Sequence, residues 1–120
     1  MMTDSELLHY ARQILLSDVD VDGQERLKQS HVVVLGLGGL GSPLSLYLGA
    51  AGVGRLTLVD SDIVDETNLH RQVIHSQKSL NQLKVESARE RILGINPWIQ
   101  IDVSGVSADD QNVHDAVAGV

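Results

Sequence analysis

The sequence predicts an α/β fold: a parallel sheet of order 3-2-1 with flanking helices, preceded by an N-terminal helical segment. Three observations carry that prediction. Two short apolar runs mark strands: VVVL at 32–35, without alternation, as expected of a parallel strand buried on both faces, and RLTLV at 55–59, nearly continuous apolar. The first run breaks into GLGGLG at 36–41, a spacing that turns a strand directly into a helix. The stretch after each run carries apolar residues at helical spacing, so strand, helix, strand, helix and strand follow in order, and right-handed crossovers place the strands 3-2-1.

Taken from the N-terminus, the chain opens on Thr3-Asp-Ser-Glu6, a capping box. Leu7, Leu8, Ala11, Ile14 and Leu15 follow near the 3.6-residue period and are expected on one side of a helix that also carries Arg12 and Gln13. An aspartate-rich turn and a short helix over 24–29 lead into the first strand, 31–35. A helix over 39–51 comes next, with Leu40, Leu44, Tyr47, Leu48 and Ala51 as its expected packing stripe, and Gly52-Val-Gly54 ends it. The second strand, 55–59, stops at Asp60. An irregular polar segment over 62–77 precedes a helix over 81–93, which halts at Asn96-Pro97. Ile99, Ile101 and Val103 alternate as a third strand, and 109–118 forms a last helix.

Residues 1–30 thus read as a helical segment and 31–120 as a Rossmann-like mononucleotide-binding half. In a complete doubly wound sheet a fourth strand lies beside the first. The sequence stops where that strand would begin, so either a truncated domain or a dimer covering the bare edge is expected.

Composition narrows the function. With 120 residues there is room for one modest core. The net charge of −7 argues against general affinity for nucleic acid or anionic membranes, so any phosphate must be held locally. The absence of cysteine excludes disulfides, thiolate metal sites and a cysteine nucleophile within this chain. The acidic start MMTDSELLHY lacks the order of a signal peptide, and no apolar run approaches the ~20 residues of a membrane span. A cytoplasmic protein is expected.

The glycine turn supplies the first chemistry. Gly36 allows the tight turn, Gly38 lets the backbone approach a phosphate, and Gly41 lets the helix pack closely, while the helix N-terminus offers unpaired N–H groups to an anion. Asp60, at the end of the second strand, is placed to accept hydrogen bonds from ribose hydroxyls. NAD and ATP share this cradle. The segment DSDIVDETNLHRQ at 60–72 favours a triphosphate: Arg71 for its oxygens, the amides of Asn68 and Gln72 to orient it, and Asp62 and Asp65, ahead of Glu66, as carboxylates for Mg²⁺. Lys84 lies early in its helix, where a cation is disfavoured unless an anion is near. Each of these residues taken singly also suits a solvated loop or surface. The histidines at 9, 31, 70, 75 and 114 have no zinc spacing and read as structural or surface residues. Ser42 lacks the G-x-S-x-G elbow of a serine hydrolase.

RQILL at 12–16, DGQERL at 22–27, GLGGLGSP at 36–43, AGVGRLTLVDSD at 51–62, NLHRQ at 68–72 and KVESARERILGINP at 84–97 together resemble the N-terminal half of the MoeB/ThiF/HesA adenylyltransferases, relatives of the ubiquitin-activating enzymes. The resemblance implies ATP-dependent adenylation, with Mg²⁺, of the C-terminal Gly-Gly carboxylate of a ubiquitin-like sulfur-carrier protein, in molybdopterin or thiamine biosynthesis. It implies that Gly39 and the turn around it approach the phosphates, that Asp60 takes the ribose, and that Asn68, Arg71 and Lys84 surround the triphosphate. It also implies that Arg12 reaches into the partner's site of a homodimer. The structural zinc of that family is not possible in this cysteine-free chain, and little or no turnover is expected of 120 residues alone. Two other classes remain open: a non-catalytic nucleotide-binding or dimerisation module, and an NAD(P)-dependent oxidoreductase.

Overall fold

A computed structural model of the chain describes residues 2–69, 74–107, 109–118 and 120. Three helices, α1 (Asp4–His9), α2 (Ala11–Ile14) and α3 (Asp20–Gln29), precede β1 (His31–Leu35). There follow α4 (Gly41–Ala51), β2 (Arg55–Val59), two single 3₁₀ turns at Glu66–Asn68 and Gln77–Ser79, α5 (Lys84–Ile95), β3 (Gln100–Ser104) and α6 (Asp110–Val117). The strands pair in parallel in the order β1-β2-β3, with His31 opposite Arg55 and Arg55 opposite Gln100. This is the 3-2-1 arrangement expected of the sequence.

The core lies on one face of the sheet. Val34, Leu56, Leu58 and Ile101 meet Leu37, Val85, Ala88 and Ile92 there, with Val32 and Val103 packed beside them. The opposite face is more open. Leu35 is exposed, His31 bonds Thr57 at 2.7 Å and Arg55 pairs with Asp102 at 2.7 Å, so β1 is not buried on both faces as its unbroken apolar run suggests.

Two expected packing stripes are also corrected. Of the expected α4 stripe Leu48 packs against the core, but the buried residues are Ser42, Ser45 and Gly49, whereas Leu40 (87% exposed, just before the helix), Leu44 and Tyr47 (72%) face outward. Close packing explains it: a Cβ on Gly49 would meet Ile92 Cγ2 at 2.4 Å, so only small side chains fit between α4 and α5. At the N-terminus the Thr3–Glu6 capping box forms, but the helix breaks at Tyr10 and leaves Leu8 and Leu15 exposed. Met2, Glu6 and Tyr10 are buried instead. Burial alone would raise the Glu6 pKa, yet Lys28 at 3.0 Å and the Thr3 amide outweigh it and hold the carboxyl below its usual value.

Candidate nucleotide site

The site grows from the turn after β1. Gly36 has φ 91°, a backbone region that favours glycine, and its N–H continues the ladder to the Val59 carbonyl at 2.8 Å. A Cβ on Gly41 would lie 1.8 Å from the Gly36 carbonyl oxygen, so α4 can begin this close to the strand only with glycine there. At Gly38 and Gly39 an added Cβ would meet nothing within 4 Å. Between the pinched ends, then, the turn presents bare backbone to open space. Among the described residues no hydrogen bond is made by the N–H groups of Gly38, Gly39, Leu40 or Gly41. An anion would satisfy such donors at the start of a helix.

Leu37 anchors this turn. Its side chain is fully buried in the core, its N–H donates to Asp60 Oδ2 at 2.6 Å, and its carbonyl accepts the Ser42 hydroxyl at 2.6 Å. The second Asp60 oxygen, Oδ1, accepts the Asp62 amide at 2.7 Å. One carboxylate at the end of β2 thus ties the glycine turn to the polar segment that follows, a role that spacing alone does not disclose.

Lys84 opens α5. Its N–H donates to the Asp62 carbonyl at 2.9 Å, which sets the helix start against the same segment. The side chain is only 5% exposed, and its ammonium has one carboxylate partner, Asp62, at 3.8 Å. No hydrogen bond to that ammonium is present among the described residues. A buried cation so weakly compensated favours an added anion. His75 is buried, with its Nδ1 2.8 Å from the Ser87 hydroxyl, and burial followed by the charge of Lys84 pushes its imidazole pKa down to about 4.

Asp65 caps the 3₁₀ turn Glu66–Asn68, accepting the Thr67 amide at 2.9 Å and the Thr67 hydroxyl at 2.8 Å; these bonds hold its carboxyl below the usual range. Among the described residues no three acidic or histidine side chains cluster as a metal site. The carboxylates here therefore do not form a cage for Mg²⁺ by themselves. Asn68 closes that turn, and Arg71 and Gln72 lie outside the described residues. Arg12 is exposed on α2, and no described hydrogen bond or ion pair joins it to the glycine turn of its own chain. A pocket of about 450 Å³ is lined by His75, Lys78, Ser87 and Arg91 rather than by the turn, which is an open surface.

The ThiF family pattern matches residues 10–120, which takes in the turn, Asp60 and Lys84 together. The chain belongs to the ThiF family. Among relatives, this ThiF-family chain is 49% identical over 117 residues to the molybdopterin-synthase adenylyltransferase of Escherichia coli K12, covering 98% of itself and 47% of that protein. It is 44% identical over 115 residues to the SAMP-activating enzyme E1 of Haloferax volcanii, covering 96% of itself and 43% of that protein. Among solved structures it superimposes with a TM-score of 0.89 on the E. coli tRNA N6-threonylcarbamoyladenosine dehydratase TcdA in complex with ATP, at 28% identity, over 96% of this chain and 46% of that one. The ThiF-family chain thus spans about half the length of the relatives it matches. No helix among its described residues is long and apolar enough to cross a membrane.

Proposed function

We propose that this chain forms the nucleotide-binding half of an ATP-dependent adenylyltransferase that activates a ubiquitin-like sulfur-carrier protein. The observation that carries the reading is the buried Lys84 ammonium, lightly paired and joined through Asp62 and Asp60 to a turn with free amides. The naming of the E. coli and Haloferax relatives, and the ATP complex of TcdA, support it.

In this reading the turn amides at Gly38 and Gly39 and the α4 N-terminus bind phosphate oxygens, with Gly36 and Gly41 shaping the bend. Asp60 borders the ribose while holding the turn, and Asn68, Arg71 and Gln72 are assigned with Lys84 to the triphosphate. The carrier's C-terminal carboxylate attacks the α-phosphorus, a C–O–P bond forms as the bond to the β-phosphate oxygen breaks, and pyrophosphate leaves with its electron pair. Fixed cations and amides stabilise that charge without reorganising. Asp62, an exposed carboxylate beside Lys84, would be the residue to hold a Mg²⁺ accompanying the triphosphate, which would neutralise charge as pyrophosphate departs. Arg12 is assigned to the neighbouring site of a homodimer.

The test is binding. Mg·ATP should raise the melting temperature of the chain while NAD leaves it unchanged, and Lys84→Met and Arg71→Ala should each weaken ATP at least about tenfold, the scale of one charge-assisted phosphate contact. Stabilisation by NAD alone would point to an oxidoreductase. Undiminished ATP affinity in both variants refutes the phosphate assignments. In a polypeptide of the relatives' full length, carrier-dependent ATP–pyrophosphate exchange then tests the activity.

A further inference from the structure

α5 starts without a capping side chain: its N-cap, Leu83, has φ −59° and ψ 137° and makes no side-chain capping bond. What fixes the start is the segment after β2. Ile63 and Leu83 form an antiparallel bridge, flanked by the Val64 N–H donating to the Gln82 carbonyl at 2.8 Å and the Lys84 N–H donating to the Asp62 carbonyl at 2.9 Å. In this register Lys84 stands directly across from Asp62, and their side chains form the 3.8 Å ion pair. Ile63 and Leu83 are exposed, whereas Val64 and Lys84 are buried.

The register is set just before the bridge. The Gln82 N–H donates to the Ser79 carbonyl at 3.0 Å, Leu80 has φ −53° and ψ 135°, and Asn81 has φ 68°. These are the marks of a type II turn over 79–82, whose third residue must take a positive φ. Asparagine tolerates that region, and a β-branched residue does not. The Asn81 N–H also donates to the Val64 carbonyl at 3.1 Å, so the residue that turns the chain adds a bond to the ladder. Slipping the pairing by one residue would turn Lys84 to the other face and put Leu83 opposite Asp62.

We propose that Asn81 is a positioning residue for Lys84: its left-handed backbone closes the Ser79–Gln82 turn, the turn fixes the pairing of 62–64 with 81–84, and that pairing sets the buried ammonium beside Asp62. The proposal rests on the nucleotide reading above for the anion that Lys84 meets and goes beyond it in the residue and the device. Asn81 is itself exposed and acts through the backbone, not through contact with the nucleotide.

Asn81→Gly, which keeps access to positive φ, should hold Mg·ATP affinity to within about threefold of the unaltered chain, whereas Asn81→Val should lose about tenfold, the scale of one charge-assisted phosphate contact. The nuclear Overhauser signal between the α-protons of Ile63 and Leu83, which lie close in a pair of this type, should persist in Asn81→Gly and vanish in Asn81→Val, with the Lys84 amide exchanging faster in the latter. In a Lys84→Met background Asn81→Val should cost no further ATP affinity, because it acts through that lysine. If Asn81→Val does not fold, Asn81→Ala takes its place in each comparison. A merely structural asparagine would give equal losses with and without Lys84. That result, an intact cross-strand signal beside the tenfold loss, or a valine variant that binds like the glycine one overturns the proposal. If the unaltered chain takes no Mg·ATP, the nucleotide reading fails, and the cross-strand signal and the Lys84 exchange still decide the role of Asn81.

Discussion

Gly41 and Gly38 sit three residues apart in one turn, yet a methyl group means opposite things at the two positions. At Gly41 it would overlap the Gly36 carbonyl at 1.8 Å, which no rotamer relieves because both atoms are fixed to backbone. Gly41→Ala should therefore cost about 3 kcal/mol or more in urea unfolding, the scale of forced overpacking. At Gly38 the added methyl meets open space, so Gly38→Ala should leave unfolding within about 1 kcal/mol of the unaltered chain and instead weaken ATP by intruding on the phosphate. Equal unfolding curves for the two variants would refute this division. The glycine spacing made Gly36 and Gly41 legible as shape and Gly38 as approach. Asp60 was legible only as a carboxylate at a strand end; whether it accepts from ribose or from the Leu37 and Asp62 amides depends on backbone directions that a one-dimensional pattern does not hold. His75 is not legible apart from the other histidines, because its partner Ser87 meets it only through the fold.

Among the elements, the strands were the most legible. β2 runs over the residues expected of it, since a nearly continuous apolar run bounded by glycine and aspartate leaves little choice of register. Helix faces were less so. Periodicity alone assigns the large apolar residues of α4 to the core, whereas the sheet and α5 approach so closely that serine and glycine occupy the contact. The N-terminal helices are held in another way, by buried amides. Asn96, just past α5, donates to the Tyr10 hydroxyl at 2.6 Å and to the Gly49 carbonyl at 2.9 Å, and it accepts the Trp98 amide at 3.1 Å. Gln13 and Gln24 bond each other and both donate to the Ala51 carbonyl. Asn96→Ala would strand two buried partners and the part-buried Trp98 amide and should cost about 3 kcal/mol, more than Tyr10→Phe, which removes one acceptor and should cost about 1 kcal/mol. Thermal unfolding ranks them, and a larger loss for Tyr10→Phe would show that the tyrosine hydroxyl, not the set of Asn96 bonds, is what joins α1 to the body.

For the whole molecule, the exposed residues raise the question the sequence raised at its sheet edge: what covers them. Leu40, just before α4, and Leu44 and Tyr47 on it recur at i, i+4 and i+7 and form an outward apolar stripe that starts beside the glycine turn. Contiguous apolar surface of this kind marks an interaction site. In the homodimer proposed above, a second copy would cover this stripe and also take up Arg12, exposed on α2 and joined to no group of its own turn among the described residues. If two chains meet through α4, each brings a cationic side chain toward the other's open amides, and the stripe and the arginine become one device. Leu44→Glu with Tyr47→Glu places like charges across a two-fold contact and should turn a dimer into a monomer in sedimentation, with helix content unchanged by circular dichroism. ATP affinity should fall in the same variant to the level of Arg12→Ala, because both remove the same arginine from the same phosphate. A monomeric unaltered chain, or a charged stripe that stays dimeric, would place the contact elsewhere and separate Arg12 from the site.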